Sequence, residues 1–238
     1  MNNELEEMIG DGSMVFTTTC LSALKDKLLK ITDNDKFFDN TYIAGGCIRD
    51  FILREPVQDV DIFIEKHKED VIEIIKEGLN RCGIFYYKSD NAIGFTFEGY
   101  KFQIIICETG NPHTVVNKFD FTMNSNFYKL DSSGTIYIKS MNDIKNKQLV
   151  FNKECRNLLG TLGRVPKFVN RGWKIPPKLD MVWLGCQISS LEPVNKISYL
   201  EEESRLYYND EEYAEMGSWV GFTFDRAPKI RNNEGSGA

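Results

Sequence analysis

Ala44-Gly45-Gly46-Cys47-Ile48-Arg49-Asp50, a gap of eight residues, then Asp59-Val60-Asp61-Ile62-Phe63-Ile64 is the stretch on which the fold turns. Tyr42-Ile43-Ala44 reads as a short buried strand that delivers two glycines, whose missing side chains let a phosphate approach the backbone amides. Residues 47–54 read as a helix, so its unpaired N–H groups and positive dipole end face the same point. In the next strand Val60, Ile62 and Ile64 alternate with Asp59 and Asp61, which therefore share one face. Paired carboxylates of that kind suit Mg²⁺ held between protein and a triphosphate, where the metal assists an attacking hydroxyl and offsets charge on departing pyrophosphate. Gly-Gly alone marks a turn and Asp-x-Asp alone a strand end; their order, strand, Gly-Gly, helix, turn, Asp-x-Asp strand, is what carries the information.

Working outward, Phe16, Leu21, Leu24, Leu28 and Leu29 recur at helical spacing over 15–31. After the Asp-x-Asp strand, Val71, Ile74, Ile75 and Leu79 predict a helix over 67–80. Strands are expected at Ile84–Lys88, Ala92–Glu98 and Tyr100–Cys107, a short helix at 113–118, a strand over 119–130, and a hairpin turn at Asp131-Ser132-Ser133-Gly134 into Thr135–Lys139. Beyond that, helices are expected at 153–171, 178–190 and 197–216, interrupted by prolines. The pattern is α+β: a mixed or antiparallel sheet with flanking helices over residues 1–148, then a helical segment over 149–238.

The 238 residues are 42% hydrophobic and 27% charged, too apolar for a disordered chain. No run reaches the roughly 18 apolar residues of a membrane span, and the start, MNNELEEMIGDGS, lacks the character of a leader. The six cysteines form no Cys-x-x-Cys pair and only His67 and His113 accompany them, which disfavours zinc. A cytoplasmic protein with reduced thiols is expected. The net charge of −6 conceals a gradient: residues 139–178 hold ten basic residues against two acids, between acidic stretches on both sides. This segment, with Lys145, Lys147, Arg164, Lys167 and Arg171, is a candidate track for an RNA backbone; the alternative is a solvated helix face paired with the acidic segments.

Gly45-Gly46-Cys47-Ile48-Arg49-Asp50 with Asp59-Val60-Asp61 resembles the head domain of class II CCA-adding enzymes and bacterial poly(A) polymerases, of the DNA polymerase beta nucleotidyltransferase superfamily. Phe119-Asp120-Phe121-Thr122-Met123-Asn124-Ser125 and Asp143-Ile144-Lys145-Asn146-Lys147 resemble two later motifs of that family in the right order, and Arg164, Lys167-Phe168 and Gly172-Trp173 loosely echo its neck. The resemblance implies a polymerase-beta-like head, Gly45 and Gly46 on a triphosphate, Asp59 and Asp61 as metal ligands and catalytic residues, and Asp120 on the ribose. For Arg49 it leaves a phosphate contact or an ion pair with Asp50, and for Asn124 a nucleotide contact or a hydrogen-bonded strand end.

Three departures stand out. Gln103 occupies the position expected for a third carboxylate, unless Glu108 reaches in; the basic pair before Asp120 is reduced to Lys118-Phe119; and Asn157-Leu158-Leu159-Gly160-Thr161 replaces the motif that reads the base. The expected activity is Mg²⁺-dependent transfer of a nucleoside monophosphate from an NTP to a hydroxyl, with an RNA 3′ end such as that of tRNA as the expected acceptor. The alternatives are nucleotidylation of a protein or small molecule, and a catalytically silent nucleotide- or RNA-binding relative.

Overall fold

The computed structural model describes residues 12–57, 59–155 and 157–190. The helix expected over 197–216 and the acidic stretch around it lie outside the described residues.

A seven-stranded sheet forms the centre, in the order β3-β4-β5-β2-β1-β6-β7. Its strands are β1 (Thr41–Ala44), β2 (Asp59–Ile64), β3 (Tyr86–Lys88), β4 (Ala92–Phe97), β5 (Tyr100–Thr109), β6 (Asn126–Lys129) and β7 (Ile136–Ile138). Only the β2–β5 pair is parallel; the other pairs are antiparallel. The helix between β2 and β3 supplies the crossover that parallel pairing requires.

The helices are α1 (Ser13–Thr32), α2 (Asp35–Asp39), α3 (Gly46–Ile52), α4 (Lys68–Arg81), α5 (Pro112–Val116), α6 (Met141–Lys145), α7 (Leu158–Asn170) and α8 (Lys178–Ser189). Leu21, Leu24, Leu28 and Ile31 of α1 and Val71, Ile75 and Leu79 of α4 cover one face of the sheet, meeting Val60, Ile62, Ile93, Phe102 and Ile104. Gly78 allows the two helices to touch, since a Cβ there would lie 2.3 Å from the Ile31 carbonyl oxygen. The same hydrophobic cluster continues through Phe121 and Phe151 to Phe168, Trp173 and Leu184, so α7 and α8 share the core of the sheet. The opposite face, which carries Asp59 and Asp61, is covered only in part, by a smaller cluster built from Tyr42, Phe63, Val115, Val116 and Phe127.

Two stretches differ from expectation. The strand over 119–130 is broken: Thr122–Asn124 form a 3₁₀ turn and pairing resumes at Asn126. Asp120 causes the break by accepting hydrogen bonds from the Phe121 amide at 2.8 Å and the Asn124 side chain at 3.2 Å. The helix expected from 153 starts at Leu158, where the Asn157 side chain caps it by accepting from the Gly160 amide at 2.9 Å.

Candidate active site

The glycine pair sits at the end of β1. Gly45 has φ 90° and ψ −143°, a conformation favouring glycine, and its amide donates to the Asn126 carbonyl at 3.0 Å. A Cβ on Gly45 would lie 3.6 Å from the Phe119 ring and 4.0 Å from Asp61 Oδ2, so the bare backbone is within reach of the carboxylate. Antiparallel pairing of Ala44 with Asp61 brings the glycine turn and the Asp-x-Asp strand side by side.

A cavity of about 470 Å³ opens at this junction. Of the residues singled out from the sequence, Gly45, Gly46, Arg49, Asp59, Asp61, Asp120, Asn124, Arg164, Lys167 and Arg171 all line it. Lys145 and Lys147 do not: Lys145 is exposed on α6, and Lys147 donates to Glu55 at 2.6 Å. Three of the basic residues expected on an RNA track thus line the same cavity as the two carboxylates.

Asp59 and Asp61 are half-buried, and among the described residues neither carboxylate has a hydrogen-bond or ion-pair partner. Burial, with the neighbouring charge of Asp59 as a second cause, pushes the Asp61 carboxyl up to about 6. That penalty is what a bound cation would remove. No cluster of three or more His, Cys, Asp or Glu with metal-holding geometry exists among the described residues. The donor set nonetheless fits Mg²⁺, which characteristically takes one or two carboxylates and completes its shell with water and substrate phosphates. Gln103 is paired in register with Asp61 across the parallel β2–β5 ladder, where a third acid was expected. Glu108 does not replace it: Glu108 is outside the cavity lining and holds the Lys118 ammonium at 2.5 Å.

A polar chain fastens α7 to the sheet. Buried Arg49 donates to Asp50 at 2.7 Å and to Asn124 at 2.6 Å, and its guanidinium lies over the rings of Phe168 and Trp173 at 5.3 and 5.7 Å. Arg49 thus forms the ion pair with Asp50 and also lines the cavity. Burial raises the Asp50 carboxyl despite the opposing pull of Arg49. Asp120 Oδ1 takes Asn124 and Phe121, and Oδ2 accepts from Arg164 at 2.9 Å. Lys167 is lowered from the usual lysine range by burial and then by the positive charges of Arg171 and Arg164. Cys47, beside the glycine turn, is buried in the core, and burial pushes its thiol well up.

The lining also contains residues that sequence reasoning did not select: Phe63, Phe119, Cys155, Asn157 and Phe168. Phe119 stood within a stretch already singled out, next to Asp120. Asn157 stood in the stretch aligned with the base-reading motif, whereas Cys155 carried no signal, because only the turn into α7 places it there.

The comparisons with known proteins agree with this geometry at the level of fold. A solved structure of a CCA-adding enzyme in complex with CTP is similar with a TM-score of 0.55 at 18% identity, over 82% of this chain and 50% of that one. The same kind of enzyme in complex with ATP gives 0.52 at 16% identity, over 81% and 49%. An apo form of a tRNA-processing enzyme gives 0.50 at 19% identity, over 78% and 59%. The chain spans about half the length of the CCA-adding enzymes it matches, and shares the α+β fold of their heads. No curated protein sequence matches it. Among family descriptions, residues 17–149, more than half of the chain, match "Gabija anti-defense 2 family protein". The chain belongs to the Gabija anti-defense 2 family.

Proposed function

We propose that this protein is a Mg²⁺-dependent nucleotidyltransferase that moves a nucleoside monophosphate from an NTP to a hydroxyl acceptor. The observation that carries the reading is one cavity lined both by Asp59 and Asp61 and by Arg164, Lys167 and Arg171. Two acids beside three cations suit a metal-chelated triphosphate, the acids taking the metal and the cations the phosphate oxygens. Mg²⁺ bound there would neutralise charge on the leaving pyrophosphate and increase the acidity of the attacking hydroxyl. Gly45 and Gly46 line the cavity, and a Cβ on Gly46 would lie 3.1 Å from the Arg49 guanidinium, so glycine there lets the arginine sit against the backbone beside the site. Lys167, whose charge is disfavoured among its basic neighbours, gains when a phosphate enters. Asp120 has both oxygens engaged, so its expected contact with the ribose requires Arg164 to change partners. Arg164 released in this way becomes available to the triphosphate.

The acceptor is an RNA 3′ end by resemblance, and the CCA-adding and tRNA-processing structures support that only through their fold. A protein or small-molecule acceptor is the alternative. The silent-binder reading draws on Gln103. Each of the four NTPs, α-³²P-labelled, incubated with RNA and protein pools and with wild type or Asp59→Ala, separates these readings. Label transfer that requires Asp59 supports the enzyme. Mg²⁺-dependent NTP binding without transfer or pyrophosphate release supports the silent binder.

A further inference from the structure

On the open face of the sheet, beyond Asp59, lies a second cavity of about 860 Å³. Asp59 lines both cavities. The strand register lays out the floor of the second one in two neighbouring rows: Asp59 of β2 pairs with Lys101 of β5 and Lys101 with Thr96 of β4, and beside them Gln103 of β5 pairs with Gly94 of β4 and Gly94 with Tyr87 of β3. A Cβ on Gly94 would lie 2.1 Å from the Tyr87 ring, so glycine at this position is what lets the tyrosine lie down across the strand. The outer end is aromatic and open to solvent, with Phe85 97% and Tyr87 58% exposed. β3 is an edge of the sheet, so its outer backbone groups have no strand partner among the described residues.

Resting on the nucleotidyltransferase reading above, we infer that this trough is the acceptor subsite and takes an extended protein segment that presents a Ser, Thr or Tyr hydroxyl at Asp59. Position is the first argument. A group transferred from a nucleotide in the first cavity must meet its acceptor at the carboxylates, and the trough ends at the carboxylate the two cavities share. Charge is the second. A nucleic-acid strand needs cations for the phosphates it desolvates, and among the described residues the only cation lining the trough is Lys101, while Arg164, Lys167 and Arg171 line the other cavity. Exposed aromatic rings, the amide of Gln103 and the free edge of β3 are instead the groups that hold extended peptides, with main chain on the edge and side chains against the rings.

In the step itself the acceptor oxygen bonds to the α-phosphorus as the bond from that phosphorus to the α,β-bridging oxygen breaks. Pyrophosphate leaves with the electron pair, and the hydroxyl proton passes to Asp59 and on to water.

The test supplies short synthetic peptides, each with one Ser, Thr or Tyr, and in parallel oligoribonucleotides with free 3′ hydroxyls, to the full chain with Mg²⁺ and α-³²P-NTP. NTP affinity and the thermal melt are measured alongside. The inference expects label on peptides, and a rise of about tenfold in peptide KM for Phe85→Ala/Tyr87→Ala with NTP affinity unchanged. Tyr87→Phe, which keeps the ring, stays close to wild type. Label on the oligoribonucleotides alone overturns the inference and leaves the nucleotidyltransferase reading standing, as does a double variant that folds and labels peptides as well as wild type. Label on neither pool also overturns the inference. If pyrophosphate release is then absent from both arms, the nucleotidyltransferase reading fails with it.

Discussion

Asp61 is where the site stores its electrostatic cost. Its carboxyl ionises at about 6 in the folded chain against an ordinary value of 3.8, so folding favours its protonated form. The stabilisation this gives is complete below about pH 4 and lost as pH rises through about 6. Metal-free protein is therefore expected to melt lower at pH 7.5 than at pH 5 through this group. Asp61→Asn should remove the penalty, of about 2 kcal/mol after screening, and raise the melting temperature at pH 7.5 by several degrees while abolishing transfer. Thermal melts in EDTA check the first part and labelled-NTP transfer the second; a variant that melts below wild type contradicts the account. Gln103, in register with Asp61, makes the complementary case. Gln103→Glu adds a third carboxylate and is expected to lower the Mg²⁺ concentration for half-maximal binding several-fold, read by Mg²⁺ titration at pH 8. At Gly45, φ of 90° makes Gly45→Ala costly, by about 1–3 kcal/mol of backbone strain, read by urea unfolding.

At the scale of elements, α7 is the part that completes the cavity, and two arginines attach it in different ways. Arg49 is a buried post: paired with Asp50, bonded to Asn124 and covered by Phe168 and Trp173. Arg49→Ala leaves the Asp50 carboxyl buried without its partner and is expected to cost about 3–5 kcal/mol of stability, measured by urea unfolding. Arg164 is half-buried at the cavity wall on Asp120. Arg164→Ala is expected to cost about 1 kcal/mol of stability or less and to weaken NTP binding about tenfold or more, measured by calorimetry. Most of the elements were legible in the sequence because their periodicity is strong: Val71, Ile75 and Leu79 on α4, or Val60 and Ile62 alternating with acids on β2. The turn at Thr122–Asn124 was not, because it depends on which backbone and side-chain groups Asp120 captures, and strand-forming Phe119 and Phe121 mask it. α2, five residues capped by Asn34, is too short for a periodic signal.

At the scale of the molecule, the charge gradient along the chain becomes a gradient across one cavity. The basic 139–178 segment reads in sequence as a surface track or a solvated helix face, but Arg164, Lys167 and Arg171 line the cavity with the two carboxylates in the fold, where α7 packs its Phe168 against Phe121, Trp173 and Arg49. Sequence periodicity shows which helix is basic; only the packing shows where those charges go. The glycine turn, the Asp-x-Asp strand and Asp120 were all legible as one site, since three short motifs carry them. The second cavity was not, since Lys101, Gln103, Gly94 and Tyr87 meet only through the register of β3, β4 and β5. Among the described residues no helix is long and apolar enough to cross a membrane. The central claim, that the cavity at Asp59 and Asp61 activates an NTP for transfer, is tested most directly by pyrophosphate release from each NTP with pooled RNA and protein acceptors, with Mg²⁺ and with EDTA. The account expects release that needs Mg²⁺ and falls to background in both Asp59→Ala and Asp61→Asn; equal release from the folded variants, or none from wild type with any NTP, would contradict it.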